Sequence, residues 1–202
     1  MRYSLLVIAT LISFSTSIAQ GIDMNKAFVE SYIHESDSNH IEAIAILEVV
    51  YDRQSYMINA RLGWLNYLAG EYSVSRDFYE RAIALMPYAI EPRLGYVLPL
   101  SAMGNWDEVI DVYEEVLKID PQHSIVNYRL GLIYYERKEY QKALLYTEKV
   151  VNLYPFDFYS VSLLGWINFR MGNMREARIL FEKALLISPD AESPKEGLAL
   201  LK

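Results

Sequence analysis

The stretch SIVNYRLGLIYYERKEYQKALLYTEKVVNLYPFD, residues 124–157, runs directly into FYSVSLLGWINFRMGNMREARILFEKALLISPDA, residues 158–191, and the two share one frame. Position 7 of each is leucine and position 8 glycine (Leu130-Gly131, Leu164-Gly165). Position 20 is alanine (Ala143, Ala177) and position 32 proline (Pro155, Pro189). Steps of 34 residues upstream reach Pro121 and Pro87, so frames 90–123 and 56–89 precede them. Position 24 then holds Tyr79, Tyr113, Thr147 and Phe181, and position 27 holds Ala82, Val116, Val150 and Ala184. Large side chains recur where two helices wedge together, and small ones where backbones approach. A sustained period of this length is the mark of one supersecondary unit stacked on itself, each copy too small to bury its apolar face alone.

Within a frame the apolar periodicity is helical. In residues 124–157 it predicts one helix over Ser124–Arg137 and a second over Tyr140–Leu153, with Lys138-Glu139 at the turn. Pro155 then stops the second helix, as Pro121 and Pro189 stop theirs, because proline lacks the N–H a helix interior needs. Gly70-Glu71-Tyr72 and Gly104-Asn105-Trp106 supply the same link between paired helices. The predicted fold is all-α, a right-handed α-solenoid of antiparallel helix pairs.

This pattern resembles the tetratricopeptide repeat family. The resemblance is carried by Leu130-Gly131-x-x-Tyr134, Ala143 and Pro155, and by Leu164-Gly165, Ala177, Phe181, Ala184 and Pro189, over four copies in phase from 56 to 191. It implies a non-enzymatic scaffold or adaptor, whose first helix in every pair lines a concave groove for a partner protein segment. Carried onto this sequence, the groove positions are Arg61, Trp64 and Tyr67 in the first copy, and Glu91, Leu94, Leu98 and Ser101 in the second. They are Tyr128, Arg129, Leu132 and Tyr135 in the third, and Tyr159, Trp166, Phe169 and Arg170 in the fourth. Aromatic and arginine side chains dominate protein-interface energetics. An aromatic stripe at helical spacing is equally what a packed core requires, and both readings stay open for Trp64 and Trp166. Arg61, Arg129 and Arg170 are expected in the groove, because an unpaired guanidinium does not stay in a core. The family's carboxylate clamp is missing: Ala60 and Trp64 stand at its first-copy positions.

Composition narrows the function classes. A 52% hydrophobic, 13% aromatic chain is no disordered tail. With no cysteine it has no disulfide, thiol nucleophile or cysteine-ligated zinc. Its net charge of −7 and lack of a basic stripe argue against nucleic acid as partner. The three histidines, His34, His40 and His123, match no demanding metal spacing, although His34 and His40 flank a turn with Glu35 and Asp37. No serine–histidine–acid set and no glycine-rich phosphate cradle is present, so neither an enzyme nor a cofactor is expected.

Residues outside the four copies form three further segments. Met1-Arg2, the apolar run Ser4–Phe14 and Ser17-Ile18-Ala19 read as a signal peptide cut after Ala19, which puts the protein in the periplasm or cell envelope with no integral membrane span after processing. Retention as an anchor is the alternative. Residues 20–55 read as a degenerate pair, with helices over Asn25–His34 and Ile41–Leu47 around the turn-forming Ser36-Asp37-Ser38-Asn39. Residues 192–202 read as a capping helix with Ser193 at N-cap and Pro194 at N1, liable to fray at Gly197. Pro99 inside the first helix of the second copy predicts a kink near Gly95–Pro99, where the glycine backbone yields cheaply. Polysaccharide handling or secretion and homo-oligomer formation remain as alternatives to capture of a protein segment.

Overall fold

The computed structural model describes residues 23–201. The expected signal peptide therefore lies outside the described residues. Within them the chain is helical throughout, with no strand: α1 (Met24–Ser36), α2 (His40–Val49), α3 (Tyr56–Leu68), α4 (Tyr72–Leu85), α5 (Glu91–Ala102), α6 (Trp106–Ile119), α7 (Ser124–Glu136), α8 (Tyr140–Leu153), α9 (Phe158–Arg170), α10 (Met174–Ile187) and α11 (Glu192–Leu200). None of them is long and apolar enough to cross a membrane. The contacts divide the chain after Tyr51. The first unit is the antiparallel pair α1–α2, closed by Ser38 in a left-handed conformation (φ 61°).

The second unit is a helical-repeat solenoid of four pairs, α3–α4, α5–α6, α7–α8 and α9–α10, with α11 in the place of a fifth first helix. The first helices touch their neighbours sideways at α3–α5, α7–α9 and α9–α11. Among the described residues the second helices make no lateral contact as extensive as these. Helices that crowd on one side and splay on the other make a curved array, and the crowded side is the inner one.

Three devices, each fixed to one column of the sequence, set this geometry. Position 15 turns the chain inside every pair: Gly70, Gly104 and Gly172 have φ of 82°, 78° and 83°, and Lys138 has 63°. The next N–H donates back to the carbonyl five residues earlier, at 2.9 Å in each of the four turns (Glu71 to Asn66, Asn105 to Leu100, Glu139 to Tyr134, Asn173 to Asn168). Position 4 ties down the loop between pairs. The Asn59 amide donates to the carbonyls of Ser55 and Arg53, and that of Asn127 to His123 and Pro121. Arg93 donates to Ala89 while pairing with Glu115 at 3.2 Å.

Position 24 is the third device and sets helix spacing. Tyr79 is buried between two glycines: a Cβ on Gly63 of the same pair would lie 2.9 Å from its ring, and one on Gly95 of the next pair would overlap it. Phe181 repeats the arrangement between Gly165 and Gly197. Gly95 is therefore a seat for Tyr79. The helix α5 continues as one element through Pro99, whose carbonyl accepts from Met103 N–H at 3.0 Å. Gly197 likewise anchors the C-terminal helix instead of loosening it. That helix starts two residues earlier than expected, with Ala191 at N-cap, and Ser193 turns its hydroxyl elsewhere.

Repeat two is also clamped by Tyr96. Its phenol lies 2.9 Å from Glu80 of α4 and 2.8 Å from Glu108 of α6. Burial, followed by these two carboxylates, raises its pKa far above the ordinary tyrosine value, and burial raises that of Tyr79 as well. For a phenol whose folded pKa is raised, the stabilisation is complete below the unfolded value near 10 and fades as pH climbs past it. Unfolding free energy should thus fall progressively from about pH 10 upward. Urea titrations across that range should show a shallower fall in Tyr96→Phe.

The glycines separate two costs. Gly95→Ala forces its methyl into Tyr79 and should cost about 1–3 kcal/mol. Gly70→Ala meets open space and should lose only about 1 kcal/mol to its left-handed backbone. Lys138→Gly should gain about 1 kcal/mol by the same reasoning reversed. Urea denaturation of the three variants checks the order.

Candidate functional site

The positions expected to line the inner face are 2, 5, 6, 9, 12 and 13 of α3, α5, α7 and α9, and several of the aromatic residues among them are in contact. Trp64 and Tyr67 lie 5.8 Å apart, and Tyr67 continues to Tyr72 at 5.9 Å. Tyr135 of α7 meets Tyr140 at 5.8 Å, and its hydroxyl accepts from Arg170 Nε of α9 at 3.4 Å. The Arg170 guanidinium also lies 5.9 Å from the centre of the Phe169 ring. This hydrogen bond, with the Tyr135 charge interaction second, raises the Arg170 pKa. Tyr135 and Arg170 thus bridge adjacent repeats across the surface offered to solvent.

Three expected groove residues need correction or refinement. Arg61 is only 8% exposed, so the expectation that its guanidinium stands out in the groove is overturned. The aliphatic stem of arginine packs well against apolar neighbours, so a guanidinium-bearing side chain can be drawn below the surface. Trp166 is half-buried and held: its indole N–H donates to Ser193 Oγ at 2.8 Å, and its ring sits edge-on to Phe181 at 5.0 Å. It is part of the seal between α9 and α11. Trp64 is half-buried and packs against the main core.

Arg129 lines two of the clefts that open on the described surface. The first, of about 790 Å³, lies where the ends of α7, α8 and α9 meet. It gathers the expected Tyr128, Arg129 and Tyr159 with Tyr154 and Phe156, which sequence reasoning did not single out. Phe156 is 80% exposed and Tyr159 67%. Burial raises the Tyr128 pKa, and Arg129 pulls it back.

The second cleft, of about 550 Å³, lies between α5 and α7 with α6 behind it. It collects the expected Leu98, Arg129 and Leu132, and adds Trp106, Glu136 and Arg137. Arg137 is occupied by Asp107 at 2.8 Å. Trp106 is 46% exposed. The cleft exists because repeat two departs from the packing code. Position 8 is Val97 instead of glycine, and the next position 6 is Arg129, so neither residue facing Tyr113 is the glycine that Tyr79 and Phe181 enjoy. The backbones of α5 and α6 approach over a shorter stretch than those of the other three pairs of the array, and α5 and α7 make no contact comparable to α3–α5 or α7–α9. Among the described residues no group of histidine and acidic side chains is placed to hold a metal ion.

Comparison with known proteins agrees with this architecture. Models of the tetratricopeptide repeat match residues 100–167 and 160–191. The human protein O-mannosyl-transferase TMTC1 is 26% identical over 179 residues, covering 69% of this chain and 20% of that protein. Human anaphase-promoting complex subunit 7 is 26% identical over 181 residues, covering 88% and 32%. The chain thus spans about a fifth and a third of the lengths of these relatives. Among solved structures, a tetratricopeptide repeat protein from Parabacteroides merdae superposes with a TM-score of 0.76 at 17% identity, covering 88% of this chain and 72% of the other. YrrB, described as a TPR protein with an unusual peptide-binding site, gives 0.71 at 13% identity over 88% and 92%. MamA gives 0.72 at 18% identity over 82% and 92%.

Because Trp166 is a seal, Trp166→Ala should lower stability by about 2 kcal/mol, less than truncation of a fully buried tryptophan. Arg170→Ala removes only a solvent-facing contact and should leave the unfolding midpoint in place. Thermal melts of both variants test the division between core and surface.

Proposed function

Since this chain belongs to the tetratricopeptide repeat family, we propose that it is a non-enzymatic adaptor that receives a partner protein segment along the inner face of α3–α9. The observation that carries this reading is the Tyr135–Arg170 bridge beside the cleft between α5 and α7, a preformed apolar surface with a cation at hand. A rigid face of this kind binds without a large ordering cost. The peptide-binding site ascribed to the similarly folded YrrB supports the same mode.

A protein segment suits these clefts better than a polysaccharide. Sugar rings need many fixed hydrogen-bonding groups beside an aromatic platform, and several polar groups here are already engaged. Asp157 accepts from Ser160 N–H at 2.8 Å, and Arg137 pairs with Asp107. The place of action we propose is the cell envelope, on the strength of the charged, apolar and small-residue order of residues 1–19.

Photo-crosslinking amino acids placed singly at Leu98, Tyr135 and Arg170, and at Lys149 and Glu182 on the second helices, test this in the native cell. Discrete protein adducts from the first set and none from the second are expected. Adducts confined to the second set, or none from either, contradict an inner-face adaptor.

A further inference from the structure

The inner face is not uniform along its length, and its centre is where bulk is missing. Position 9 reads Trp64, Leu98, Leu132, Trp166, and position 12 reads Tyr67, Ser101, Tyr135, Phe169. The outer repeats therefore carry large rings in both columns, whereas repeat two has a leucine and a serine. Ser101, Leu98 and Leu132 all line the cleft between α5 and α7, whose wall is completed by Trp106. An aromatic ladder runs along both flanks, and at Ser101 one rung is absent.

Building on the adaptor reading, we propose that this cleft is an anchor pocket that takes one aromatic side chain of a partner protein, with a neighbouring carboxylate of that partner on Arg129. The ring would occupy the volume that tyrosine or phenylalanine fills in the other three repeats. Its neighbours there are Leu98, Leu132 and the half-exposed face of Trp106. Such a pocket, apolar and enclosed on several sides, is where interface energy concentrates.

Charge selects the rest of the partner. Arg129 has no carboxylate among the described residues within 4.0 Å, whereas the other two arginines of this region, Arg93 and Arg137, are paired with Glu115 and Asp107. On a chain of net charge −7, an available guanidinium at the mouth of an apolar cleft is a specific invitation to an acid. The lining carboxylate Glu136 is seven residues further along α7, about 10 Å away along the helix. It leaves Arg129 available and disfavours a second acid at that end. An acid adjacent to the aromatic residue reaches Arg129; one three residues beyond meets Glu136.

The test uses the full chain and three capped peptides, acetyl-Gly-Glu-Phe-Gly-amide and its Lys-Phe and Glu-Ala counterparts, followed through the Trp106 indole N–H resonance. The Glu-Phe peptide should shift that resonance saturably, with a dissociation constant on the order of 1 mM for so small a ligand. The Lys-Phe peptide should bind at least about fivefold more weakly, as should Glu-Phe with Arg129→Gln. The Glu-Ala peptide should not bind. Ser101→Tyr, which restores the missing rung, should abolish the shift while keeping the melt cooperative. Leu132→Trp fills the cleft from the other wall and serves if Ser101→Tyr does not fold. An undiminished shift in a folded filled-cleft variant, or no saturable shift in the parent chain, overturns the pocket. If inner-face crosslinks persist in that case, the adaptor reading stands and only the anchor falls.

Discussion

The structure depends on an aromatic ring set between two glycines. Tyr79 lies against Gly63 of its own pair and Gly95 of the next, and Phe181 against Gly165 and Gly197. One side chain thus fixes two helix spacings, the one inside a pair and the one between pairs. Interiors pack at crystal-like density, so a spacing fixed at the core propagates to the surface it supports. Where both glycines are replaced, by Val97 and Arg129 around Tyr113, the helices stand apart and a cleft opens. The place where the packing rule is broken is the place where the array has room for something else.

Much of the fold was legible in the residues because its devices are columnar. Prolines at position 32 and turn residues at position 15 fix helix ends through backbone chemistry alone, and α8 runs over Tyr140–Leu153 as its periodicity predicts. The candidate surface was legible only in part. Trp106 stands in the turn Gly104-Asn105-Trp106 and reads there as punctuation, although it walls the cleft. Phe156 and Tyr154 follow and precede a helix-stopping proline, and nothing in a loop's local pattern tells an exposed ring from a buried one. Gly95 was assigned a backbone role because its partner, Tyr79, is sixteen residues earlier on another helix. Arg61 misled for a different reason: burial of a guanidinium depends on neighbours from other helices, which no single column displays.

The division of labour along the inner face follows from the same contacts. At the C-terminal end Trp166 is committed to Ser193 and Phe181, so α11 closes the last repeat. Toward the start, Trp64, Tyr67 and Tyr72 cover one another. Between these ends, Leu98, Ser101 and Leu132 leave the surface low, and Arg129 keeps a charge unspent at its edge. Packing thus closes both ends of the face, which lets the array hold its shape while one interval stays open.

Exchange of the three indole N–H protons with deuterium, followed by NMR on the full chain, probes this division most directly. With the C-terminal end sealed and the centre open, the Trp166 proton should exchange slowly, protected by Ser193, while the Trp106 proton should exchange at nearly the rate of free tryptophan. Equal protection of Trp106 and Trp166, or faster exchange at Trp166, would contradict an inner face closed by α11 and open between α5 and α7.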